Sequence, residues 1–575
     1  MKGKYPPYDA DTISDVREMF LKSTERFADS PALQHKKGGR WIPLTYRELR
    51  DAVEEVACGM AALGLEPAES KVAVVAENRP EWAITYLAAA CTGVVLVPID
   101  KELRETEVYH ILYLSGADAL VGDARHIEMV EEIRKRLPRL KVLVNMDLDE
   151  GEGGIHGFGQ LRRLAKDRRA FAERRVTADT LLSILFTSGT MGNSKGVMLT
   201  HGNVASNLYD AARWVDLRST DRFLSVLPMH HSYECTDGFL MALYRGALTS
   251  YAENLRRVAE NMAETRATAM LGVPLLWHAM YKKIEAGMVE KGMWKVNAAK
   301  RVASISEKIL RRNIRRKVFS AVHERFGGDL RIVISGGAAV DPAVARGFRE
   351  LGIEFLQGYG LTESAPIIAV NRDRAFKDDA AGLPLPSVEV RIAEDGEILA
   401  RGPNIMKGYY NNPEATREAL ADGWLHTGDL GYLDRDGFLH IHGRKKAVIV
   451  TPGGKKVYPE EVEAELLKSP FILECLVWGE SSSDPNQEVE VQAIVVPNVE
   501  TFISQGIERD GAVDDTRVEE ILRKEVKERC QDLTPFKRVT RLTVRHEEFE
   551  KTTTRKIKRY LYTGKARVVG ARPRG

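Results

Sequence analysis

Apolar residues in the first half of the chain fall into short β-branched runs separated by longer stretches with helical spacing. "KVAVVAEN", "GVVLVPID", "ADALVGD" and "KVLVNM" are four such runs before residue 150, and "ATAMLGVP" and "LRIVISGG" repeat the pattern later. Strands alternating with helices predict a largely parallel α/β sheet. From about residue 384 the texture changes. "VEVRIAEDGEILARGP" and "GWLHTGDLGYLDRDGFLHIHGRKK" read as short strands, and their turn residues "EDGE" and "DRDG" predict antiparallel hairpins. After "GRKK" comes an α+β segment with "VYPEEVEAELLKS", "ILECLVWGE", "EVQAIVVPN" and the helix "DTRVEEILRKEVKERC". That change sets a domain boundary near residues 443–446.

The longest uncharged run, Trp82 to Ile99, has the length of a membrane span. A glycine divides it into an Ala-rich half and a "VVLVP" half, and Asp100 and Lys101 follow at once. It therefore reads as a buried helix–strand pair. The N-terminus lacks the apolar stretch of a signal peptide.

Composition narrows the class. At 575 residues the chain exceeds one core, and 44% hydrophobic with 29% charged residues describes a soluble globular protein. A formal net charge of +2 argues against a nucleic-acid partner. Five cysteines (58, 91, 235, 475 and 530) form no CxxC pair, which offers no zinc site and fits a reducing, cytoplasmic compartment. Two basic stretches depart from the even balance. "KILRRNIRRKVF" (308–319) reads as a helix with a cationic face, and the last 25 residues hold nine Lys/Arg and no acid. A solvated face is the plain reading; attraction of an anionic cofactor, or of a membrane surface at its inner face, is the sharper one.

The chemistry concentrates in "FTSGTMGNSKGVM", residues 186–198. A P-loop requires G-x-x-x-x-G-K-S/T. Here Asn193 and Ser194 separate Gly192 from Lys195, and Gly196 follows the lysine, so that reading fails. What remains is a run of small residues whose N–H groups can converge on phosphate oxygens, with hydroxyls and one cation.

This loop resembles the Y/F-T-S-G-T-T/S-G-x-P-K-G-V motif of the acyl-adenylate-forming ligases. The family's further motifs follow in order: "LPMHHSYE", "SGGAAV", "QGYGLTES", "GEILARGPNIMKGYY", "HTGDLG" with "GRKKAVIVTPGGKKVYPEEVE", and "KTTTRKIKR". The likeness spans roughly residues 20–560, and "VPLLWHAMYKKI" and "LRIVISGGAAVD" are most similar to long-chain fatty acid–CoA ligases. It implies an α/β fold: a large N-terminal domain of stacked α/β sheets with a β-barrel-like subdomain (1–443), then a small mobile α+β domain (444–575) hinged near Lys446. It also implies a two-step reaction. A carboxylate attacks the α-phosphorus of ATP to give acyl-AMP and pyrophosphate, and the coenzyme A thiol then displaces AMP.

The resemblance assigns roles residue by residue. Thr187, Ser188, Gly189, Thr190, Gly192 and Lys195 would cradle the β- and γ-phosphates. Tyr359, following Gly358, would lie on the adenine, with Gly336, Gly337 and Ala338 along its other side. Thr362 would bond the α-phosphate, and Glu363 would supply a carboxylate to Mg²⁺. Asp429 and Arg444 would reach the ribose. Lys556 would be the catalytic cation of adenylation, bridging carboxylate and α-phosphate. His231, rather than His230, would sit beside the acyl carboxylate, and Gly272–Leu276 would line the acyl path. Lys446 would be the hinge, and Gly453 of "TPGG" would admit the pantetheine arm.

Three positions depart from the motifs: Met191, Ser194 and Arg555 stand where threonine or serine, proline and glycine are usual. The expected partners are a medium- or long-chain fatty acid, ATP and coenzyme A, with peripheral membrane contact and a homodimer as further expectations. Two rivals stand beside this reading: loading of a carrier protein's phosphopantetheine, and a non-catalytic nucleotide-binding homologue.

Overall fold

A computed structural model of the chain describes residues 6–165, 168–187, 194–290, 292–310, 314–450, 455–480, 490–509, 512–513, 515–552 and 557–563. The runs read as strands are strands. Lys71–Val75 (β1), Val95–Pro98 (β2), Ala119–Gly122 (β3) and Val142–Asn145 (β4) lie side by side in the order β2-β1-β3-β4, and every pairing among them is parallel. The uncharged run resolves as the helix Pro80–Thr92 (α1), stopped by Gly93 in the left-handed region (φ 77°) and followed by β2. Pro80 at the first helical turn and glycine just past the last give the run its bounds. Among the described residues no helix is long and apolar enough to cross a membrane.

Leu181–Phe186 (β5) joins the same sheet beside β2, and Gly196–Thr200 (β6) returns antiparallel to it. A second, nine-stranded sheet is built around Arg222–Ser225 (β7), Leu248–Tyr251 (β8), Ala269–Gly272 (β9), Ile332–Ser335 (β10) and Glu354–Gly360 (β11). Its central order is β11-β10-β9-β7-β8, all parallel. Strands β2 and β3 and the helix α1 are buried, as their continuous apolar runs require.

The chain divides into two compact units: residues 1–391, 399–426 and 433–439 in one, and 392–398, 427–432 and 440–575 in the other. Within the second, Ile472–Glu480 and Glu490–Pro497 pair antiparallel, and Arg541–Val544 adds parallel to the latter. The helices Pro459–Leu466 and Asp515–Arg529 bury Val462, Leu466, Leu522 and Val526 in the same core as Val477 and Val495.

The expected cationic helix over 308–319 takes a different form. Residues 308–310 end the helix Met293–Leu310 (α3), which follows the helix Pro274–Glu290 (α2), and Arg315–Val318 is a separate turn of helix. Arg315 donates to the Glu350 carbonyl, and Arg316 donates to those of Gly328 and Leu330. Two of the cations read as a solvated face therefore tie the backbone together. All five cysteines are buried thiols.

Candidate active site

Parallel strands end on one edge, and ligands of open α/β sheets bind outside those carboxyl ends. Four of the expected segments leave that edge of the second sheet: the histidine loop after β7, Gly272 at the end of β9, the "SGG" turn after β10, and Gly358–Tyr359 at the end of β11.

The phosphate loop connects β5 to β6. Their ladder ends at Phe186 opposite Gly196, and the Thr187 N–H then donates to the Lys195 carbonyl at 3.1 Å. Ser188, Gly189, Thr190, Met191 and Gly192 lie outside the described residues. Lys195 has a partner that local sequence did not disclose. The short strand Gly408–Tyr409 pairs antiparallel with β6, Tyr409 opposite Val197. That register brings the Lys195 ammonium 4.8 Å from the centre of the Tyr409 ring. The Tyr409 hydroxyl in turn donates to Glu363 Oε1 at 2.8 Å. The Met406 N–H donates to the Glu363 carbonyl at 2.9 Å, fixing the turn Thr362–Ser364 that presents this carboxylate. Lysine, tyrosine and glutamate thus form one line, and the geometry joins the phosphate loop to the expected metal ligand.

The fit to Mg²⁺ can be tested on these groups. Among the described residues no cluster of three or more His, Cys, Asp or Glu could hold a metal ion. Mg²⁺ bound through nucleotide phosphates asks for one or two protein carboxylate oxygens. Glu363 meets that demand, because a single tyrosine hydroxyl engages one oxygen and leaves the charge in place.

The histidine loop is held by Asn78, which follows β1. Its Nδ2 donates to the Leu227 carbonyl at 2.7 Å and to Ser225 Oγ at 3.1 Å, and its Oδ1 accepts from the Met229 N–H at 3.1 Å. His230 Nε2 lies 3.6 Å from Asp100 Oδ2. Burial pushes the His230 imidazole below its ordinary pKa, with Asp100 acting against that shift. His231 Nδ1 accepts from the Tyr233 N–H at 3.3 Å. In the neutral ring the proton then sits on Nε2, the nitrogen able to donate to a carboxylate. Both histidines are half-buried, His230 beside Asp100 and His231 turned back on the Tyr233 backbone.

From Tyr233 to Leu240 the chain is a π-helix, a form that recurs at functional sites. Tyr233 donates to the Ile334 carbonyl at 3.1 Å, and its ring lies against the "SGG" turn. A methyl group on Gly336 would meet that ring at 2.8 Å, so glycine is required there. Glu234 and Asp237 are buried on this helix, and Glu234 Oε2 and both Asp237 oxygens have no hydrogen-bond partner among the described residues. Burial raises the Glu234 pKa to about 8, opposed by a bond from Ser225, and burial with the Glu234 neighbour raises Asp237 well above the ordinary range. The Glu234 carboxyl therefore keeps its proton at neutral pH, and burial biases Asp237 toward the same neutral form.

A pH effect follows. Between about pH 4.5 and 8 the unfolded chain releases the Glu234 proton and the folded chain retains it, so stability falls as pH rises through that window. Glu234→Gln removes this slope. Thermal melts should show the variant gaining on the parent between pH 5 and pH 8, and an unchanged difference would contradict the assignment.

The second unit carries the expected ribose pair. Asp429, buried in the strand Leu425–Leu433, meets Arg444 Nε at 2.9 Å. Lys445 pairs with Asp395 at 2.5 Å and Glu397 at 2.9 Å, whereas Lys446 is exposed in the turn Lys445–Ala447. Gly453, Arg555 and Lys556 lie outside the described residues. The flanks of Lys556 are fixed: Lys551 bridges Ile557, and the Lys558 N–H donates to the Glu550 carbonyl at 2.9 Å. Arg559 pairs with Glu463 of the helix Pro459–Leu466. Burial lifts the Glu463 carboxyl to about 7 despite that guanidinium.

Known proteins share both sequence and fold with the chain. A family model described as AMP-binding enzyme matches residues 20–410. The chain is 30% identical over 499 residues to the long-chain-fatty-acid–CoA ligase FadD15 of Mycobacterium bovis, covering 83% of this chain and 82% of that protein. It is 33% identical over 469 residues to a feruloyl-CoA synthase of an Amycolatopsis species, covering 79% and 84%. The solved structure of the anthranilate CoA ligase AuaEII with anthranoyl-AMP has a TM-score of 0.74 at 20% identity, over 97% of this chain and 98% of that one, which is a likeness of fold.

Proposed function

The chain belongs to the AMP-binding enzyme family, and we propose from that premise that it is an ATP-dependent acid–CoA ligase acting on medium- or long-chain fatty acids. A carboxylate and ATP give acyl-AMP and pyrophosphate; coenzyme A then gives the acyl thioester and AMP. The observation that carries the reading is the line from Lys195 through Tyr409 to Glu363.

Each residue's task follows from charge. Lys195 holds the β- and γ-phosphates against their mutual repulsion, and the backbone donors of residues 187–192 share that load. Tyr409 keeps Glu363 aimed. Glu363 would hold Mg²⁺, which would supply positive charge to the nucleotide phosphates. His231 donates from Nε2 to the substrate carboxylate and orients it toward the α-phosphorus, and Thr362 holds the α-phosphate. Tyr359 and Gly336–Ala338 bound the adenine, while Asp429 accepts from the ribose hydroxyls and Arg444 fixes Asp429. Lys556 stabilises the charge shared by carboxylate and α-phosphate during attack. A hinge at Lys446 exchanges this lysine for the Gly453 loop, which admits the thiol. We place the enzyme in the cytoplasm, in peripheral contact with a membrane and as a homodimer.

A second reading of the acid is favoured by one observation. Glu234 Oε2 and both Asp237 oxygens, without hydrogen-bond partners among the described residues and on carboxyls held toward their neutral form by burial, offer donors and acceptors to an uncharged polar group. Hydroxylated aromatic acids match that demand, and the feruloyl-CoA synthase relative bears a name of that class. ATP–pyrophosphate exchange across a ladder of fatty acids and a parallel set of phenolic acids decides between them. Exchange that rises with alkyl chain length supports the first reading; faster exchange with phenolic acids, lost in Glu234→Gln, supports the second.

A further inference from the structure

The helix α3 is built with its apolar face outward. At 100° per residue, Trp294, Ala298, Val302, Ile305 and Ile309 fall within about 80° of one another on the helical wheel. All five are exposed, Trp294 at 72%, Ile309 at 73% and Val302 and Ile305 at 56% each. The side turned to the protein holds smaller or more polar groups, Val296, Ala303 and Ser306. A solvent-facing helix normally shows the reverse arrangement.

Charge identifies what would cover this stripe. Residues 291–319 contain ten Lys/Arg and one acid, Glu307. Lys295 and Arg301 are exposed beside the stripe, and the Lys295 ammonium lies 5.6 Å from the Trp294 ring centre. Lys317 is exposed further along. Apolar side chains with a tryptophan, bordered by cations on an exposed helix, suit the boundary between headgroups and acyl chains of an anionic bilayer. A nucleic acid would leave the apolar stripe unmatched, and a spanning role is excluded for a helix that carries these charges.

We propose that α3 is the surface by which this protein docks on anionic lipid bilayers, lying in the interface with Trp294, Val302, Ile305 and Ile309 inserted and Lys295 and Arg301 at the headgroups. The proposal rests on the peripheral membrane contact put forward above and assigns it to a face. It also suits the substrate: long acyl chains partition into bilayers, so an enzyme parked there meets them at high local concentration.

The full chain should co-sediment with vesicles of mixed phosphatidylcholine and phosphatidylglycerol and bind pure phosphatidylcholine vesicles at least tenfold more weakly. Ile305→Asp with Ile309→Asp should lower binding to the anionic vesicles at least tenfold while activity on a short, water-soluble acid stays unchanged. Lys295→Gln with Arg301→Gln, changes that spare packing, should remove the preference for anionic lipid. Equal binding by parent and both double variants would overturn α3 as the docking face and leave membrane contact standing. Absence of vesicle binding by the parent would overturn both. A parent that is dimeric, with the Ile305/Ile309 variant monomeric and neither on vesicles, would assign the face to a second copy instead.

Discussion

Lys556→Ala is expected to slow acyl-adenylate formation by about 10²–10³-fold, the usual cost of deleting a positioned charge that acts on the transition state. The same variant should convert supplied acyl-AMP and coenzyme A to thioester at the parental rate. The asymmetry follows from the chemistry. Attack on the α-phosphorus brings two anions together and needs a cation between them, whereas a thiol displacing AMP from a neutral acyl carbon does not need one at that place. A structural role for Lys556 would weaken both halves equally, so the ratio of the two rates is the informative readout. Arg555, where the family has glycine, borders this lysine, and Arg555→Gly should leave the ratio on the parental side.

Glu363→Gln is expected to lower adenylation by about 10²–10³-fold, with part of the loss recovered at high Mg²⁺. Glutamine keeps an oxygen for the Tyr409 hydroxyl, which now donates to Oε1 at 2.8 Å, so the turn should hold its shape. What disappears is the negative charge. Tyr409→Phe makes the complementary change, retaining the carboxylate and the ring beneath Lys195 while releasing Glu363 from its donor. Its loss should be about tenfold at most and insensitive to Mg²⁺ concentration. Titrating Mg²⁺ for parent and both variants checks the assignment: a Glu363→Gln enzyme with unaltered metal dependence would show that Glu363 is not the ligand.

Much of the scaffold was legible because its signals are local. β-branched runs gave the parallel strands, and Gly93 with the charges after Ile99 separated α1 from β2. The strands on either side of residues 187–195 were legible from their apolar runs. Groups that depend on pairing between distant segments were not. Tyr409 reaches Lys195 only through the register of Gly408–Tyr409 on β6, and Asn78 clamps a loop about 150 residues away. Nothing in either neighbourhood announces its partner. The helix α3 escaped for another reason. Periodicity finds an apolar stripe but not the side that faces the core, and here the less apolar side does. The cations of 308–319 misled similarly, because an arginine in a charge run can serve a backbone carbonyl as Arg316 does.

The central claim is that ATP is split at the α-phosphate to activate an acid for thioester formation. Purified protein should be incubated with a fatty acid, ATP, Mg²⁺ and coenzyme A, and AMP, ADP, pyrophosphate and thioester quantified together. The account predicts AMP, pyrophosphate and acyl-CoA in equal amounts, and acid-dependent ATP–pyrophosphate exchange when coenzyme A is left out. Release of ADP and orthophosphate, or no acid-dependent exchange with any carboxylic acid, would contradict it.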